Sequence, residues 1–259
     1  MEKYTGDIGL LRKRSVIITG ASSGIGKGLA FEFARRGYNL GLASRNAQKL
    51  SEVKAILENR FPGILVSFAE LDVMRYSNVA ETIESLDDSL QNTTEILVAN
   101  SGIAGSQLSG VGRFEDNRKV IETNLLGAMA AIDAGLNIFR RRKKGTVVGI
   151  SSVAGFRGFA GSAAYCSSKA GLSTYLEALR GEVRRHGIHV CSIHPGFIDT
   201  PIKNKKRAFE ISVEKGSKLI AEAIIKRKNE STIPWFPWAL AGFIMRRIPG
   251  FIWARISSK

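Results

Sequence analysis

Short apolar segments of strand length alternate along this chain with amphipathic segments of helical length. Apolar strands of this kind are buried on both faces, and their alternation with helices favours parallel pairing. We therefore predict an α/β fold built on a doubly wound parallel sheet, with residues 1–259 forming a single domain. The predicted strands cover residues 15–19, 40–44, 64–71, 95–99, 146–151 and 189–194. The predicted helices cover residues 25–36, 47–59, a stretch from about 77, a long helix that runs through Asn124 to about Arg142, and 163–185.

A glycine-rich turn, Thr-Gly-Ala-Ser-Ser-Gly-Ile-Gly at residues 19–26, joins the first strand to the first helix. Glycine tolerates positive φ and lets the backbone approach a pyrophosphate, which the helix N-terminus then stabilises. In a first βα unit this turn is typical of a Rossmann-type dinucleotide site, although a tight turn without a ligand has the same composition. The predicted phosphate-binding residues are Gly20, Ser22, Ser23, Gly24, Ile25 and Gly26.

The end of the second strand bears on which dinucleotide binds. Enzymes that select NAD usually place an acidic residue there to hold the ribose 2′-hydroxyl, whereas this chain has Ser44 followed by Arg45. An arginine pairs readily with a 2′-phosphate, so we expect NADP(H) in preference to NAD(H). The alternative is an exposed arginine that merely opens a loop. Asp72, after the third strand, is placed to accept a hydrogen bond from the adenine amino group.

Tyr165 and Lys169 are four residues apart at the start of a predicted helix, so they share one face. A neighbouring ammonium favours the phenolate and lowers a tyrosine pKa towards the range useful for acid–base catalysis. Ser152 follows the fifth strand, at the sheet edge where ligands of open α/β sheets bind, and can donate a hydrogen bond to a substrate carbonyl. By itself, a tyrosine four residues before a lysine is common on protein surfaces.

Taken together, these motifs resemble the short-chain dehydrogenase/reductase family across residues 15–200. The matching segments are the glycine turn at 19–26, Ser-Ser-Val-Ala-Gly at 151–155, Tyr-Cys-Ser-Ser-Lys at 165–169 and Pro-Gly-Phe-Ile-Asp-Thr at 195–200. A fifth match, Thr-Asn-Leu-Leu-Gly, contains Asn124 at the position of the family's helix-kinking asparagine.

The resemblance implies an oxidoreductase that passes hydride between NADP(H) and a carbonyl or alcohol. The resemblance implies that Tyr165 transfers the proton, while Lys169 lowers the tyrosine pKa and binds the nicotinamide ribose. It also implies that Ser152 polarises the carbonyl and that Asn124 holds a water that links Lys169 to solvent. The cofactor is further expected to contact Ser44, Arg45, Asp72, Asn100, Gly102, Tyr165, Lys169, Pro195, Gly196, Ile198 and Thr200.

Two departures from the family pattern concern the adenosine ribose and the assembly. The family's Asn-Asn-Ala-Gly appears as Ala-Asn-Ser-Gly at residues 99–102, so only Asn100 and Gly102 are kept. Members that form tetramers end with a last strand and an Asp-Gly-Gly-like tail, which we expect to be replaced here. A homodimer is therefore the expected assembly.

The chain is strongly basic, with 38 Lys and Arg against 23 Asp and Glu and a net charge of +15. Residues 203–259 hold 13 basic and 4 acidic side chains, so 13 − 4 = +9 of this charge lies in the last fifth of the chain. An anionic partner or a solvated basic surface both account for the excess. The alternative is a non-catalytic protein of the same fold that binds a nucleotide or a nucleic acid. No nucleic acid is expected, because a binding protein does not need Asn124, Ser152, Tyr165 and Lys169 together.

The segment 230–259 contains all three tryptophans and an apolar run at 233–245 that is followed by two arginines. Such a segment fits a peripheral membrane contact, a lid over an apolar pocket or a dimer interface. Each of these uses favours a lipophilic substrate. We expect a cytoplasmic protein that can attach peripherally to an anionic membrane surface. No metal is expected, because no carboxylates or cysteines stand at ligand spacing from His186, His189 and His194.

Overall fold

A seven-stranded parallel sheet with the strand order β3-β2-β1-β4-β5-β6-β7 forms the centre of the protein. The computed structural model describes residues 14–104, 111–200 and 208–257. The strands are β1 (Ser15–Thr19), β2 (Asn39–Ser44), β3 (Val66–Glu70), β4 (Thr94–Ala99), β5 (Gly145–Ile150), β6 (Ile188–Pro195) and β7 (Glu230–Ile233). The predicted α/β fold, with a doubly wound Rossmann-type sheet in one domain, is confirmed.

Helices cover both faces of the sheet. They are α1 (Gly24–Arg35), α2 (Ala47–Arg60), α3 (Tyr76–Ser89), α4 (Phe114–Ile121), α5 (Gly127–Arg142), α6 (Ala163–Val183), α7 (Val213–Ile225), α8 (Trp235–Met245) and α9 (Gly250–Ser257). One core joins α1, α2 and α7 to the sheet through residues such as Phe33, Leu57 and Ile220. The other joins α3, α5 and α6 through residues such as Ile83 and Phe139. Burial on both faces explains why β1, β2 and β5, apart from Asn39 at the start of β2, consist of apolar or small residues.

The strand order places the functional edge of the sheet. The chain moves outward from β1 to β2 and β3, then returns to pair β4 with the other side of β1. Loops after β1 and β4 therefore diverge above the carboxyl ends of these two strands. A crevice at such a reversal is the usual ligand site of an open α/β sheet.

Two elements differ from the sequence-based expectations. The last strand was expected to be replaced, but β7 pairs in parallel with β6, Ile233 opposite Pro195, so that part of the prediction is wrong. The chain departs from the expected tail only after this strand, where α8 and α9 follow. The long helix predicted to run through Asn124 to about Arg142 is not one continuous α-helix, since α4 leads through a π-helical turn, Glu122–Leu126, directly into α5.

The described part of the chain contains no helix that is both long enough and apolar enough to cross a bilayer.

Candidate active site

A cleft of about 640 Å³ lies above the carboxyl ends of the strands. Its walls bring the glycine turn after β1 together with residues that follow β2, β3, β4, β5 and β6. The predicted site residues that line it are Gly20, Ser22, Ser23, Gly24, Ile25, Ser44, Arg45, Asp72, Asn100, Gly102, Ser152, Tyr165, Lys169, Pro195, Gly196, Ile198 and Thr200. Of the predicted set, Gly26 and Asn124 do not line the cleft.

The glycine turn has the geometry that a pyrophosphate requires. Gly20 and Gly24 have φ values of +68° and +52°, a region in which a side chain would be strained. The turn ends at the N-terminus of α1, and the Ser23 side chain does not cap that helix. Backbone N–H groups of the first helical turn are thus left to an anion, with the partial positive charge of the helix behind them. These residues fit a bound dinucleotide.

Gly26 supports this turn from behind. A Cβ atom added to it would lie 2.3 Å from the Gly20 carbonyl oxygen and 2.5 Å from the Asn100 side-chain nitrogen. Gly26 therefore allows helix α1 to pack directly against the backbone of the turn. Its predicted part in cofactor binding stays a prediction.

Asn100 fastens the same turn to strand β4. Its side-chain nitrogen donates to the carbonyl oxygens of Thr19 at 3.0 Å and Gly20 at 3.3 Å. The Thr19 hydroxyl in turn accepts from the backbone N–H groups of Asn100 and Ser101, at 3.0 and 3.1 Å. The Asn100 amide is thus engaged with the backbone of the turn, and its predicted contact with the adenosine ribose stays a prediction.

Two cationic side chains stand at the adenosine end of the cleft. Both Arg45 and Lys49 are exposed, and both line the cleft. Arg45 was predicted from the sequence, and Lys49 was not. Lys49 is placed by the start of α2, where the Asn46 side chain accepts from the Lys49 backbone N–H at 2.8 Å and caps the helix. The signal for Lys49 was its position in the first helical turn directly after Arg45.

Lys169 lies at the opposite end of the cleft and is almost completely buried, with 5% of its surface exposed. Its ammonium donates to the Ile150 carbonyl oxygen at 2.8 Å and lies 5.9 Å from the centre of the Tyr165 ring. Burial lowers the pKa of Lys169 from 10.5 to about 8. The predicted pair of phenol and ammonium is therefore brought together on one face at the start of α6.

Ser152 faces the same space from the end of β5. Its hydroxyl oxygen accepts from the Ala154 backbone N–H at 3.1 Å, which leaves its proton to donate. The present acceptor is the Pro195 carbonyl oxygen at 3.5 Å, a long bond that a substrate oxygen can replace. Ser151, which sequence reasoning did not select, ties β5 to α6 by donating to the Lys169 carbonyl oxygen at 2.8 Å.

Asn124 is fully buried in the π-helical turn and acts on the loop after β4. Its side chain accepts from the Ile103 N–H at 2.8 Å and donates to the Ile103 oxygen at 2.9 Å and to the Ser168 hydroxyl at 3.3 Å. A Cβ atom on Gly102 would lie 3.3 Å from the Asn124 side-chain oxygen and 3.6 Å from the Lys169 nitrogen. Gly102 thus brings that loop close to both residues. The helix irregularity is where the family resemblance placed it, and the water-holding role stays a prediction.

The substrate side of the cleft borders the C-terminal helices. Gly196 lies against the Trp238 indole, since a Cβ atom there would be 2.2 Å from the indole nitrogen. Ile198 and Ile211 form a short bridge that flanks the connecting loop. Most of the loop expected to cover the substrate, at 201–211, lies outside the described residues. Among the residues that are described, no group of His, Cys, Asp or Glu is arranged to hold a metal ion.

Comparison with known proteins gives consistent results. A family model described as short chain dehydrogenase matches residues 14–211. An uncharacterized oxidoreductase of Mycobacterium tuberculosis is 37% identical over 230 residues, which cover 88% of this chain and 90% of the relative. A short-chain dehydrogenase from Sphingobium yanoikuyae, solved in complex with NADPH, has a TM-score of 0.79 and 27% identity, covering 92% of this chain and 97% of that one. A short-chain dehydrogenase/reductase from Burkholderia phymatum in complex with NAD shares the fold, with a TM-score of 0.82 at 20% identity and coverage of 90% and 92%.

Proposed function

Since the chain belongs to the short-chain dehydrogenase/reductase family of oxidoreductases, we propose that it transfers hydride between NADP(H) and a carbonyl or secondary alcohol of a lipophilic substrate. One observation carries the proposal. A single cleft holds an uncapped glycine turn at one end and the set Ser152, Tyr165 and Lys169 at the other.

The preference for NADP(H) is supported by charge at the adenosine end. Arg45 and Lys49 both line this part of the cleft, and strand β2 ends in Ser44 instead of a carboxylate. Glu70 lies opposite Ser44 in the sheet but is not among the residues that line the cleft. A 2′-phosphate placed between the two cations would gain charge-assisted hydrogen bonds that NAD(H) cannot make.

The chain's own residues would position the substrate and move a proton, while the nicotinamide supplies or accepts the hydride when bound. Ser152 would donate its hydroxyl proton to the substrate oxygen in place of the Pro195 carbonyl. Tyr165 would give its phenolic proton to that oxygen in reduction, and take it back in oxidation. The Lys169 ammonium beside it would stabilise the phenolate that remains.

A lipophilic substrate is supported by what surrounds this end of the cleft. Trp238 packs on Gly196 and meets Phe197 edge to face, with ring centres 4.7 Å apart. An apolar substrate would find matching surface here, whereas a small charged one would not.

The direct test is a screen of carbonyl compounds of increasing chain length, with NADPH and NADH in parallel, that follows loss of the reduced-nicotinamide absorbance. We expect turnover with NADPH, and kcat/KM that rises with the apolar length of the substrate. Exclusive use of NADH would contradict the cofactor proposal, and a preference for short charged substrates would contradict the substrate class.

A further inference from the structure

The outer side of α8 and α9 carries an exposed apolar surface, which we name the tail face. In the described residues, it holds eight of the sixteen exposed large hydrophobic side chains, although it spans only residues 235–257. On α8, Leu240, Phe243 and Ile244 stand at spacings of three and four residues and so lie on one side of the helix, whereas Phe236 lies at a kink with non-helical backbone angles. The members are Trp235, Phe236, Leu240, Phe243, Ile244, Phe251, Ile252 and Ile256, with exposed fractions between 39% and 71%.

The opposite side of both helices is fixed to the protein beside the cleft. Gly242 packs on the Phe156 ring, and Arg157 donates to the Met245 carbonyl oxygen at 2.5 Å. The Trp253 indole donates to the Gly158 carbonyl oxygen at 2.5 Å. These contacts hold the helices on the loop between β5 and α6, which contains Ser152 and leads into the helix that carries Tyr165. The side chains of the tail face are left exposed, and none of them lines the cleft.

The segment that carries the tail face holds only positive charges, and one acidic side chain from outside it, Glu230, lies beside Arg246 and Arg247. Residues 231–257 contain Arg246, Arg247 and Arg255 and no Asp or Glu. The Arg247 guanidinium lies 3.6 Å from the centre of the Phe243 ring, so cation and aromatic ring share one surface. Aromatic and aliphatic side chains interleaved with arginines are typical of helices that lie in the interface of an anionic bilayer. A twofold pairing of two tail faces would instead bring the arginines of both copies together, with Glu230 beside Arg246 and Arg247 in each copy. Three arginines against this one neighbouring acid leave like charges in excess.

We infer that the tail face docks on an anionic lipid bilayer and so holds the substrate end of the cleft beside the membrane. Trp238 and Phe156 link the helices to Gly196 and to the loop after Ser152, which places the docked surface next to that end. The docking itself does not depend on the reaction. Delivery of an apolar substrate from the bilayer to the cleft does rest on the proposed function.

Vesicle flotation of the purified full-length chain tests the docking. We expect the protein to float with vesicles that contain about one-third phosphatidylglycerol, and at least about tenfold less with pure phosphatidylcholine. The double variant Leu240→Ser/Phe243→Ser should lose at least about tenfold in binding to the anionic vesicles, since both side chains are exposed and would enter the interface. Its matched control is Ile56→Ser/Leu65→Ser, with side chains 46% and 37% exposed on the β3 edge of the sheet.

A second pair of variants tests the charges. Arg246→Gln/Arg247→Gln should weaken binding to the anionic vesicles by at least about fivefold, and the exposed pair Arg184→Gln/Arg185→Gln should not. Melting temperatures show that each variant is folded. The inference is overturned if the wild type does not float with anionic vesicles, if it floats equally with neutral ones, or if both control pairs lose as much as the tail variants. It is also overturned if light scattering shows a dimer that Leu240→Ser/Phe243→Ser dissociates while vesicle binding stays unchanged. Since flotation needs no cofactor, these results are independent of whether the enzyme reduces the tested carbonyls.

Discussion

Removal of the Arg45 guanidinium should weaken NADPH binding and leave NADH binding unchanged. Arg45 and Lys49 line the adenosine end of the cleft, where the cofactors differ only in the 2′-phosphate. A hydrogen bond to a charged group contributes about 1.5–3 kcal/mol, and because Arg45 is exposed we take the lower half of that range. At about 1.4 kcal/mol for each factor of ten, the lower half of the range means that Arg45→Ala should raise the Kd for NADPH by about 12–40-fold.

Lys49→Ala removes the second cation at the same end of the cleft. Its ammonium makes a single-point contact without the planar fork of an arginine, so about 1 kcal/mol and a fivefold rise in the Kd for NADPH are expected. Because both cations would contact one phosphate, the double variant should lose less than the product of the two single effects.

Fluorescence titration of both cofactors with each variant gives the measurement. The matched control is Arg60→Ala, which removes one positive charge from the far end of the same helix. If Arg45→Ala weakens NADPH and NADH equally, or changes neither, the reasoning about the 2′-phosphate is refuted. An equal effect from Arg60→Ala would show that only the overall charge of the protein matters.

Three further predictions concern the turn, the buried lysine and the C-terminal helices. Gly26→Ala should lower cofactor affinity at least about tenfold, because the added Cβ atom would lie only 2.3 Å from the Gly20 carbonyl oxygen. In the control Gly181→Ala, the added Cβ atom has nothing within 4 Å, and the variant should be slightly more stable than the wild type in thermal unfolding. The unfolded protein binds more protons at Lys169 than the folded one between its folded pKa of about 8 and the ordinary 10.5. As the pH rises from about 8 to 10.5, the unfolding free energy of the cofactor-free wild type, measured in urea, should therefore increase by about 3 kcal/mol relative to that of Lys169→Met. Parallel pH profiles of the two proteins would contradict the burial of a chargeable lysine. Trp253→Ala should lower the unfolding free energy by about 2 kcal/mol, because it removes the contacts with Gly158 and Phe159. The control Phe251→Ala changes a side chain that is 71% exposed and should lower it by under about 0.5 kcal/mol. Similar losses in the two variants would mean that Trp253 does not anchor the helix.

The central strands were predictable because burial on both faces leaves an uninterrupted apolar signal. Strands β1, β2, β4, β5 and β6 begin and end within one or two residues of their predicted positions. Strand β7, Glu-Ser-Thr-Ile, was missed because it is short, has three polar residues out of four and lies at the sheet edge, so that only its pairing with β6 defines it. Helix α4 was missed because Val120 is its only buried residue among the eight, which leaves no apolar stripe to detect.

The site residues were predictable where a local motif fixes them, and less so where long-range contacts do. Gly20, Tyr165 and Lys169 belong to short motifs whose backbone geometry is local. The bonds of Asn100 to the glycine turn, and of Asn124 to Ile103, join residues 80 or 21 positions apart in the chain. Only the folded arrangement shows that these amides are engaged with backbone groups.

Single-turnover carbonyl reduction by Tyr165→Phe tests the central proposal most directly. The variant removes one hydroxyl from a residue that lines the cleft beside Lys169 and leaves the ring in place. With a carbonyl substrate that the wild type reduces, we predict that the rate falls at least about a hundredfold, the contribution of a positioned general acid. The Kd for NADPH should stay within about threefold of the wild-type value, since the phosphate-binding turn is untouched. Near-normal turnover by Tyr165→Phe would contradict the account.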